Sequence, residues 1–540
     1  EASLNNQTHQ NLDSRESSME EDMSIAINAT SARLTSALKR VPDGSRANVI
    51  LVRFSGEKKM TGFIHEVDEL TQGLIARRIA SDGFEPKFKQ VSVIESGLNI
   101  EGLDRIILIG LGPRSKLTLN KLRDAIADGF TTARDVAGGE HIIFPLIDVD
   151  LHGFTVEQFA QTVTEYAILA DYEPNHKKTR DWPGHQPRTH FESLTLLSTS
   201  GTLQAAQRGM KAGKLLAEAT NRARDMVNEP SNIMTPSKIA SLARKLGKES
   251  NGLLKVKVLG FDEIKALKMG GVLAVNSGAE NPPAFIEMSY DPEVGVTDKV
   301  LGFVGKGITF DSGGLNAKDY DSMRDMKNDM GGAAAVLQVM SIICELKPHI
   351  SVRAVIAACE NLTDARSMRQ GNVLKTMSGL TVQVDHTDAE GRLTLADALT
   401  YVQEKLGANI LVDIATLTGS VEEALGDKVT GIFGNNDKFT REVLKCANDA
   451  GEPMHELPMY EGYRENNRGT MADLTNDGSG PGAIIAAWFL REFVKDGTPW
   501  VHMDIAATNF RKYEHGVDSE GATGVAVRTL GQILRQYSKI

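Results

Sequence analysis

Short apolar runs alternate with helical segments through the second half of the chain, and this alternation restricts the possible folds more than any other feature. The runs that read as buried strands are residues 255–259, 284–290, 300–304, 352–359, 410–414 and 500–505. Strands separated by helices form a mostly parallel sheet with helices on both faces. Ligands bind such a sheet beyond the carboxyl ends of its strands. The sequence therefore predicts an α/β domain with its site at that edge.

The run Asp-Ala-Glu-Gly-Arg places three charged residues, Asp388, Glu390 and Arg392, at a spacing of two, just before an apolar helical stretch. In an extended backbone this spacing points all three side chains the same way. Gly391 would give the turn between them its conformational freedom. Two carboxylates and a guanidinium at a strand–helix junction indicate a metal site beside an anion pocket. The alternative is a solvated turn with an incidental Glu–Arg pair.

A glycine-rich segment, Gly305-Lys-Gly-Ile-Thr-Phe-Asp-Ser-Gly-Gly, follows the third of these strands and contributes Lys306 and Asp311. It has neither the glycine spacing of a phosphate-binding P-loop nor the Gly-x-Ser-x-Gly pattern of a nucleophile elbow. Lys318 comes next. Asp329 then precedes a small-residue helix start, where an acidic residue is also commonly only a cap.

Four acidic residues, Asp311, Asp329, Asp388 and Glu390, thus lie in loops that follow apolar strands. Gathered in one pocket they would repel one another, and some would have to stay protonated. Two divalent cations would offset the four charges and leave carboxylates free to bridge. The histidines form no zinc motif, so oxygen ligands would hold any zinc.

These stretches closely resemble the leucine (leucyl) aminopeptidase family. The resemblance rests on the motifs of residues 306–314, 329–332, 387–393 and 413–419, supported by Asn228-Glu-Pro, Met234-Thr-Pro and Gly480-Pro-Gly. It extends from about Ala205 to the C-terminus, whereas the first part matches only in its α/β character and size.

The resemblance implies a metal-dependent exopeptidase with two divalent ions per subunit, Zn²⁺ and/or Mn²⁺, with Mg²⁺ or Co²⁺ as alternatives. The tighter ion would have as ligands Lys306, Asp311, Asp329 and Glu390. The more exchangeable ion would be held by Asp311, Asp388 and Glu390. Lysine can act as a ligand only when neutral, and a nearby dication would lower its pKa enough.

The resemblance also implies two catalytic residues. Lys318 would stabilise the oxyanion of the tetrahedral intermediate. Arg392 would hold a bicarbonate that acts as general base, since a guanidinium fork suits a planar oxyanion.

Peptides with a free N-terminus are the implied substrates, with Leu and Met plausible because flexible Met side chains suit an apolar, tolerant pocket. The residues expected to contact the substrate are Met326, Thr416, Leu417, Gly419 and His386. The family usually has Asn at the position of His386. The histidine would either replace the hydrogen bond of that amide or add a titrating group near the metals.

The expected organisation is a smaller N-terminal and a larger C-terminal α/β domain. The polar residues 1–23 would form a disordered tail, and residues 24–190 an α/β domain for assembly or regulation. Its strands are expected at 48–54, 104–112 and 141–144. Residues 191–226 would supply a connecting strand, at 194–197, and a helix from 203 to 226. Residues 227–540 would form the dimetal peptidase domain, with the mostly parallel central sheet flanked by helices.

Composition and charge bear on location and partners. A formal net charge of −11 makes nucleic acid an unlikely partner, and no apolar stretch is long enough to cross a membrane. The resemblance implies a cytoplasmic homohexamer. Organellar import stays open, because a chain that begins at Glu1 could have lost an upstream segment.

Two alternatives compete with the aminopeptidase. The first is a non-catalytic role on the same fold, as a structural or DNA-binding oligomer. The second is another dimetal hydrolase such as a phosphatase, which shares the electrostatics but fits the motifs poorly. The expected residue types at every metal and catalytic position favour the enzyme.

Overall fold

The computed structural model describes residues 25–57, 59–81, 84–95, 97, 100–146, 154–174, 190–294 and 298–538. The chain divides into two compact units, unit 1 with Glu1–Asp171 and Asp181–Lys214, and unit 2 with Tyr172–Arg180 and Leu215–Ile540. The tail predicted at 1–23 lies outside the described residues. In the part that the structure describes, no helix has both the length and the apolar character needed to span a bilayer.

Unit 1 is built on a six-stranded sheet in the order β1-β6-β5-β2-β4-β3. All neighbours in it are parallel except β3, which runs antiparallel to β4. The strands predicted at 48–54, 104–112, 141–144 and 194–197 are confirmed as β2, β4, β5 and β6, whereas β1 and β3 were not predicted. The strands β1 to β6 are Ala26–Thr30, Ala47–Ser55, Val91–Glu95, Leu103–Pro113, His141–Pro145 and Ser193–Leu197.

The helices of unit 1 pack on this sheet through large apolar side chains. Phe130 of α4 stacks on Phe144 of β5, and Phe159 of α5 meets the same ring edge-on. The helices α1 to α5 are Leu34–Leu38, Phe63–Leu70, Leu74–Ala80, Leu119–Thr132 and Val156–Asp171.

The long helix predicted at 203–226 is confirmed as α6, Leu203–Asn228, and its residues fall in both units. The next helix, α7, is Pro236–Glu249, and Thr235 caps it by accepting a hydrogen bond from the Lys238 N–H at 3.3 Å. Proline at the first helical position needs no N–H partner, so this start agrees with the sequence.

Unit 2 contains an eight-stranded sheet in the order β15-β14-β17-β13-β9-β10-β8-β7. Its centre, β17-β13-β9-β10, is parallel, while β14 and β8 flank that block as antiparallel neighbours. Two small sheets, β11-β12-β16 and β18-β19, complete the unit. The strands β7 to β19 are Leu254–Leu259, Ala284–Tyr290, Val300–Asp311, Ser351–Asn361, Val373–Lys375, Thr381–Gln383, Ile410–Ala415, Thr430–Gly434, Met454–Glu456, Leu474–Thr475, Trp500–Asp504, Phe510–Arg511 and Gly521–Ala522.

Helices cover both faces of this sheet, as predicted. Phe303 of β9 and Val412 of β13 join the core that includes α11, while Val304 and Leu411 point into the core that includes α13. The helices α8 to α17 are Phe261–Ala266, Gly270–Val275, Tyr320–Met323, Gly331–Ser341, Ile343–Leu346, Gly391–Glu404, Gly419–Leu425, Asp437–Ala450, Gly482–Arg491 and Val527–Gln536.

Asp397 of α13 is a buried carboxyl that ties this helix to two neighbouring segments. Its oxygens accept hydrogen bonds from the N–H groups of Val272, at 3.0 Å, and Met377, at 2.7 Å. Burial raises the pKa of Asp397 to about 7, although these backbone N–H groups oppose the rise. The folded protein therefore binds this proton more tightly than the unfolded chain does.

This shift predicts a pH-dependent stability. The free energy of unfolding should fall as the pH rises from about 4 to about 7, because the ionised carboxylate is favoured in the unfolded chain. Asp397→Asn should lack this contribution, so the native chain should lose about 2.5 kcal/mol relative to the variant between pH 5 and 7.5. Denaturant unfolding of both metal-free proteins at the two pH values measures the difference. Parallel changes in the two proteins would contradict the assigned pKa.

Candidate metal centre

The second half of β9 carries the first two predicted site residues, and Lys306 lies at the middle of a buried cluster. Its Nζ is 2.8 Å from Asp329 Oδ1 and 2.9 Å from Glu390 Oε1. It also donates to the carbonyl oxygen of Thr416 at 2.8 Å. Lys306, Asp329 and Glu390 are almost completely buried, so strands and loops distant in the sequence converge on one amine.

Lys318 connects the other two predicted acidic residues. Its Nζ is 2.9 Å from Asp311 Oδ2 and 2.6 Å from Asp388 Oδ1, and the side chain remains 15% exposed. The ligand-type oxygens of Asp311, Asp329 and Glu390 lie within 4.8 Å of one another, close enough for one cation to contact all three. All five predicted metal ligands thus belong to one connected cluster of charges.

Asp311, the last residue of β9, is held in place by hydrogen bonds. Its Oδ1 accepts from Asn361 Nδ2 at 2.8 Å and from the Gly313 N–H at 2.9 Å. Asn361 ends the neighbouring parallel strand β10, and its amide also donates to the Thr387 carbonyl. These contacts fix the orientation of the Asp311 carboxylate, with Oδ2 directed at Lys318.

Burial and mutual repulsion favour protonation of the acidic residues. Burial raises the pKa of Asp329 well above its usual range, although Lys306 opposes the rise. Burial, with Asp311 next, likewise raises the pKa of Glu390, and burial together with Asp311 and Glu390 raises that of Asp388 to about 7. Such shifts are expected where several carboxyls share a site.

The pKa values of the two lysines are also raised, but by attraction to the carboxylates and against the effect of burial. Burial alone would lower the pKa of Lys306, but the carboxylates of Asp329, Glu390 and Asp311 outweigh it and raise this pKa. The pKa of Lys318 is raised in the same way, by Asp311 and Asp388 against its burial. Without a metal ion, both amines therefore act as the counter-charges of the cluster.

Some buried carboxylate oxygens of the cluster have no hydrogen-bond partner and are of the kind that binds a cation. Asp329 Oδ2 and Glu390 Oε2 are buried and have no hydrogen-bond partner. Since buried polar atoms are normally paired, these oxygens fit metal coordination. Arg392 donates through Nη1 to the Asn476 carbonyl at 2.7 Å, but its buried Nε lacks a partner. That unpaired donor fits a small anion.

The backbone before α13 differs from the extended conformation that the spacing of two suggested. Residues 386–390 form a turn, and Arg392 already lies in the first turn of the helix. The prediction about Gly391 was also wrong. A Cβ there would lie 2.6 Å from Lys306 Cε, so this glycine permits close packing rather than an unusual turn. The charged side chains therefore meet because a helix begins at residue 391, and not because they alternate along a strand.

The segment after β13 carries three of the residues expected to contact substrate. Thr416 donates its hydroxyl to Asp329 Oδ1 at 2.6 Å, which joins this segment to the charge cluster. Leu417 is half-buried, and Gly419 is the exposed first residue of α14. Asp504, at the end of β17, accepts hydrogen bonds from the Leu417 N–H at 3.0 Å and the Thr418 hydroxyl at 2.7 Å.

Met326 and His386 border the same cluster from other segments. Met326 begins the short 3-10 turn that leads to Asp329, and its side chain is half-buried. His386 Nδ1 accepts a hydrogen bond from the Asp388 N–H at 3.2 Å. Its ring thus supports the backbone of a predicted metal ligand.

Sequence reasoning missed several residues that hold the cluster together. Asn361 and Asp504 each lie at the carboxyl end of a correctly predicted strand, so their positions could have identified them from the sequence. Asn476 was harder to find, because it comes from a loop after the two-residue strand β16. It accepts from the His386 N–H at 3.2 Å and donates to the carbonyls of His386 and Ala389.

Comparison with known proteins identifies the family. The catalytic domain of the Cytosol aminopeptidase family matches residues 221–531, and the N-terminal domain of that family matches residues 49–181. The chain belongs to the cytosol aminopeptidase family. The N-terminal match extends the resemblance beyond the region that its sequence motifs covered.

Similar proteins cover nearly the whole of this cytosol aminopeptidase-family chain. A probable cytosol aminopeptidase of Synechococcus sp. (strain JA-3-3Ab) is 38% identical over 483 residues, which is 88% of the chain and 93% of the relative. One of Alkaliphilus metalliredigens (strain QYMF) is 36% identical over 91% of the chain and 97% of the relative. The aminopeptidase expected from the sequence is confirmed at this level.

Solved structures agree with the fold. A tomato leucine aminopeptidase mutant matches with a TM-score of 0.81 at 31% identity, covering 95% of the chain and 97% of that protein. The bottromycin maturation enzyme BotP in complex with Mn matches with a TM-score of 0.78 at 31% identity, covering 91% and 99%. This family member is therefore an α/β metal-dependent hydrolase, which the non-catalytic alternative does not fit.

Proposed function

We propose that the chain releases apolar N-terminal residues, Leu and Met in particular, from peptides by means of a water activated by two metal ions. The observation that carries this proposal is the buried cluster of Lys306, Asp311, Asp329 and Glu390, with its unpaired carboxylate oxygens at the carboxyl end of the parallel sheet. Burying so many charged side chains together is unfavourable unless cations bind among them.

The ligand sets follow the family resemblance and the cluster. One ion would be held by Lys306, Asp311, Asp329 and Glu390. The other would be held by Asp311, Asp388 and Glu390, so that Asp311 and Glu390 bridge. The ions are Zn²⁺ and/or Mn²⁺, with Mg²⁺ or Co²⁺ as alternatives. When bound, they supply a water of lowered pKa and polarise the peptide carbonyl.

Lys318 and Arg392 would act on the reacting groups. Lys318 is the more exposed of the two lysines in the cluster and would donate a hydrogen bond to the carbonyl oxygen as negative charge develops on it. Arg392 would hold a bicarbonate through its unpaired Nε. In that position the anion would accept a proton from the attacking water.

The free amine of the substrate would bind one of the metal ions and face Asp329. A blocked amine cannot interact in this way, which restricts cleavage to the first residue. The side chain of that residue would occupy a pocket lined by Met326, Thr416, Leu417, Gly419 and His386. The half-buried Met326 and Leu417 would favour apolar side chains.

Assembly and location complete the proposal. We infer a homohexamer in the cytoplasm, with residues 24–190 as the assembly or regulatory domain and residues 227–540 as the peptidase domain, joined by 191–226. Support comes from the N-terminal domain of the family and from the relatives, which are probable cytosol aminopeptidases. Sedimentation analysis of the full chain tests the hexamer.

The proposal predicts metal-dependent hydrolysis of a leucyl-amide. Protein stripped of metal should be inactive, and adding Mn²⁺, Zn²⁺ or Co²⁺ should restore activity because the ions activate the water. The N-acetylated substrate should stay intact under every condition. Folded protein that remains inactive with all three ions would refute the dimetal peptidase. Cleavage of the acetylated substrate would refute recognition of the free amine.

His386 should contribute a hydrogen bond rather than a titrating group to catalysis. An Asn side chain can accept a hydrogen bond from the N–H two residues later, as His386 Nδ1 accepts from Asp388. We therefore expect the pH–rate profiles of the native chain and His386→Asn to overlie between pH 5.5 and 9. A missing ionisation in the variant would show instead that the imidazole titrates during turnover.

A further inference from the structure

A second group of ligand-type side chains lies in unit 1, at the amino ends of the parallel strands β5 and β6. Glu140 directly precedes β5, His141 is its first residue, and Glu192 directly precedes β6. The N–H of Glu192 donates to the Glu140 carbonyl at 2.7 Å, and His141 pairs in register with Ser193. The backbone therefore holds the three side chains together.

His141 is only 4% exposed, and one of its ring nitrogens has no partner. Its Nδ1 is 2.9 Å from Ser193 Oγ. Its Nε2 has no hydrogen bond and faces Glu192 Oε2 at 3.6 Å. Ligand-type atoms of His141, Glu140 and Glu192 lie within 4.8 Å of one another.

A cation between the imidazole and the carboxylates would satisfy the unpaired nitrogen of His141. A distance of 3.6 Å is too long for a hydrogen bond from Nε2, so an N–H there would be buried without an acceptor. If Nδ1 instead carries the proton and donates a hydrogen bond to Ser193, the lone pair of Nε2 faces a carboxylate. Either neutral tautomer is therefore unfavourable unless a cation lies beside Nε2.

The spacing suits a first-row metal ion. Zinc binds histidine nitrogen and carboxylate oxygen at about 2.0–2.2 Å in tetrahedral geometry, which separates neighbouring ligand atoms by about 3.4 Å. The separation of 3.6 Å between Nε2 and Glu192 is close to this value. A metal-bound histidine usually donates its other N–H to a fixed acceptor, and Ser193 offers one here.

We propose that Glu140, His141 and Glu192 form a binding site for one divalent ion of the zinc class, separate from the metal centre of unit 2. His141 would bind through Nε2, each glutamate through one oxygen, and water would complete the coordination. Ser193 is a positioning residue that fixes the imidazole tautomer. The exposed glutamates let the ion enter from solvent, and the bound ion would fasten β5 to β6.

Metal counting on the full chain tests this proposal. Native protein, saturated with Zn²⁺ and freed of loose ions by gel filtration, should hold one more zinc per chain than the double variant Glu140→Gln/Glu192→Gln. The substituted side chains are exposed, Glu192 by 63%, so this variant should fold. Its hydrolysis of leucyl-amide should equal that of the native chain. Glu101→Gln, another exposed glutamate of unit 1, is the matched control and should keep the native count.

Two further variants separate a metal site from a simple ion pair. His141→Gln should lose the same single ion, and Ser193→Ala should bind it about 10- to 100-fold more weakly because the imidazole is no longer oriented. Equal zinc counts in the native chain and the double variant would overturn the proposal and leave His141 beside Glu192 without a metal ion. An unchanged affinity in Ser193→Ala would overturn the positioning role.

Discussion

Replacing Lys318 by alanine should lower the turnover of leucyl-amide by about 10²- to 10³-fold, the usual loss when one donor to a developing oxyanion is removed. Lys318 holds its proton firmly, because the carboxylates of Asp311 and Asp388 keep its pKa above the usual value despite partial burial. It remains 15% exposed, whereas Lys306 is enclosed. Lys318 is therefore the amine of the cluster that a bound peptide can reach.

Kinetics combined with metal analysis will distinguish this role from a structural ion pair. Both variant and native protein should hold the same amount of metal, and kcat should fall much more than KM rises, because the lost contact forms mainly in the transition state. The exposed Lys375, replaced by alanine, is the control and should leave both parameters unchanged. Near-native kcat in Lys318→Ala would remove this residue from the mechanism.

Glu390→Gln should have an effect of similar or larger size, through loss of metal. Glu390 contacts Lys306 through Oε1, while its buried Oε2 has no partner. A neutral amide in this position cannot balance the charge of two cations or bridge them as a carboxylate does. We expect at least about a 100-fold lower metal affinity and a comparable loss of activity at a fixed metal concentration.

A matched control exists for this substitution. Glu360 is also buried, at the end of β10, but it bonds to Asn281 and takes no part in the charge cluster. Glu360→Gln should keep its metal and its activity. If Glu390→Gln binds metal as tightly as the native chain does, Glu390 serves only as a buried partner of Lys306.

The regular parts of the fold could be predicted from sequence because their side-chain patterns are local. The apolar runs became strands β7 to β10, β13 and β17, and Thr235 with Pro236 correctly marked a helix start. The antiparallel strand β14 was missed because two of its five residues are glycine, which weakens the apolar pattern. The small sheet β11-β12-β16 was also missed, since strands of two or three residues carry almost no periodicity.

The charged residues that gather in the cluster could be named from the sequence, but the geometry that brings them together could not. Motifs identified the acidic residues and both lysines, yet periodicity gave the wrong backbone for residues 388–392. Helix α13 begins at Gly391, and this residue packs closely against Lys306, a contact that no local pattern records. The supporting hydrogen bonds of Asn361, Asn476 and Asp504 likewise depend on segments that meet only in the folded chain.

The positions of the cluster residues along the chain determine when the site can form during protein synthesis. The segment that carries Thr416 is fixed by Asp504, which lies on β17 and comes 87 residues after Leu417. A growing chain on the ribosome therefore exposes the acidic residues of the cluster before this support has been made. Peptidase activity should appear only after β17 has been synthesised, which would protect neighbouring nascent proteins from a half-made enzyme.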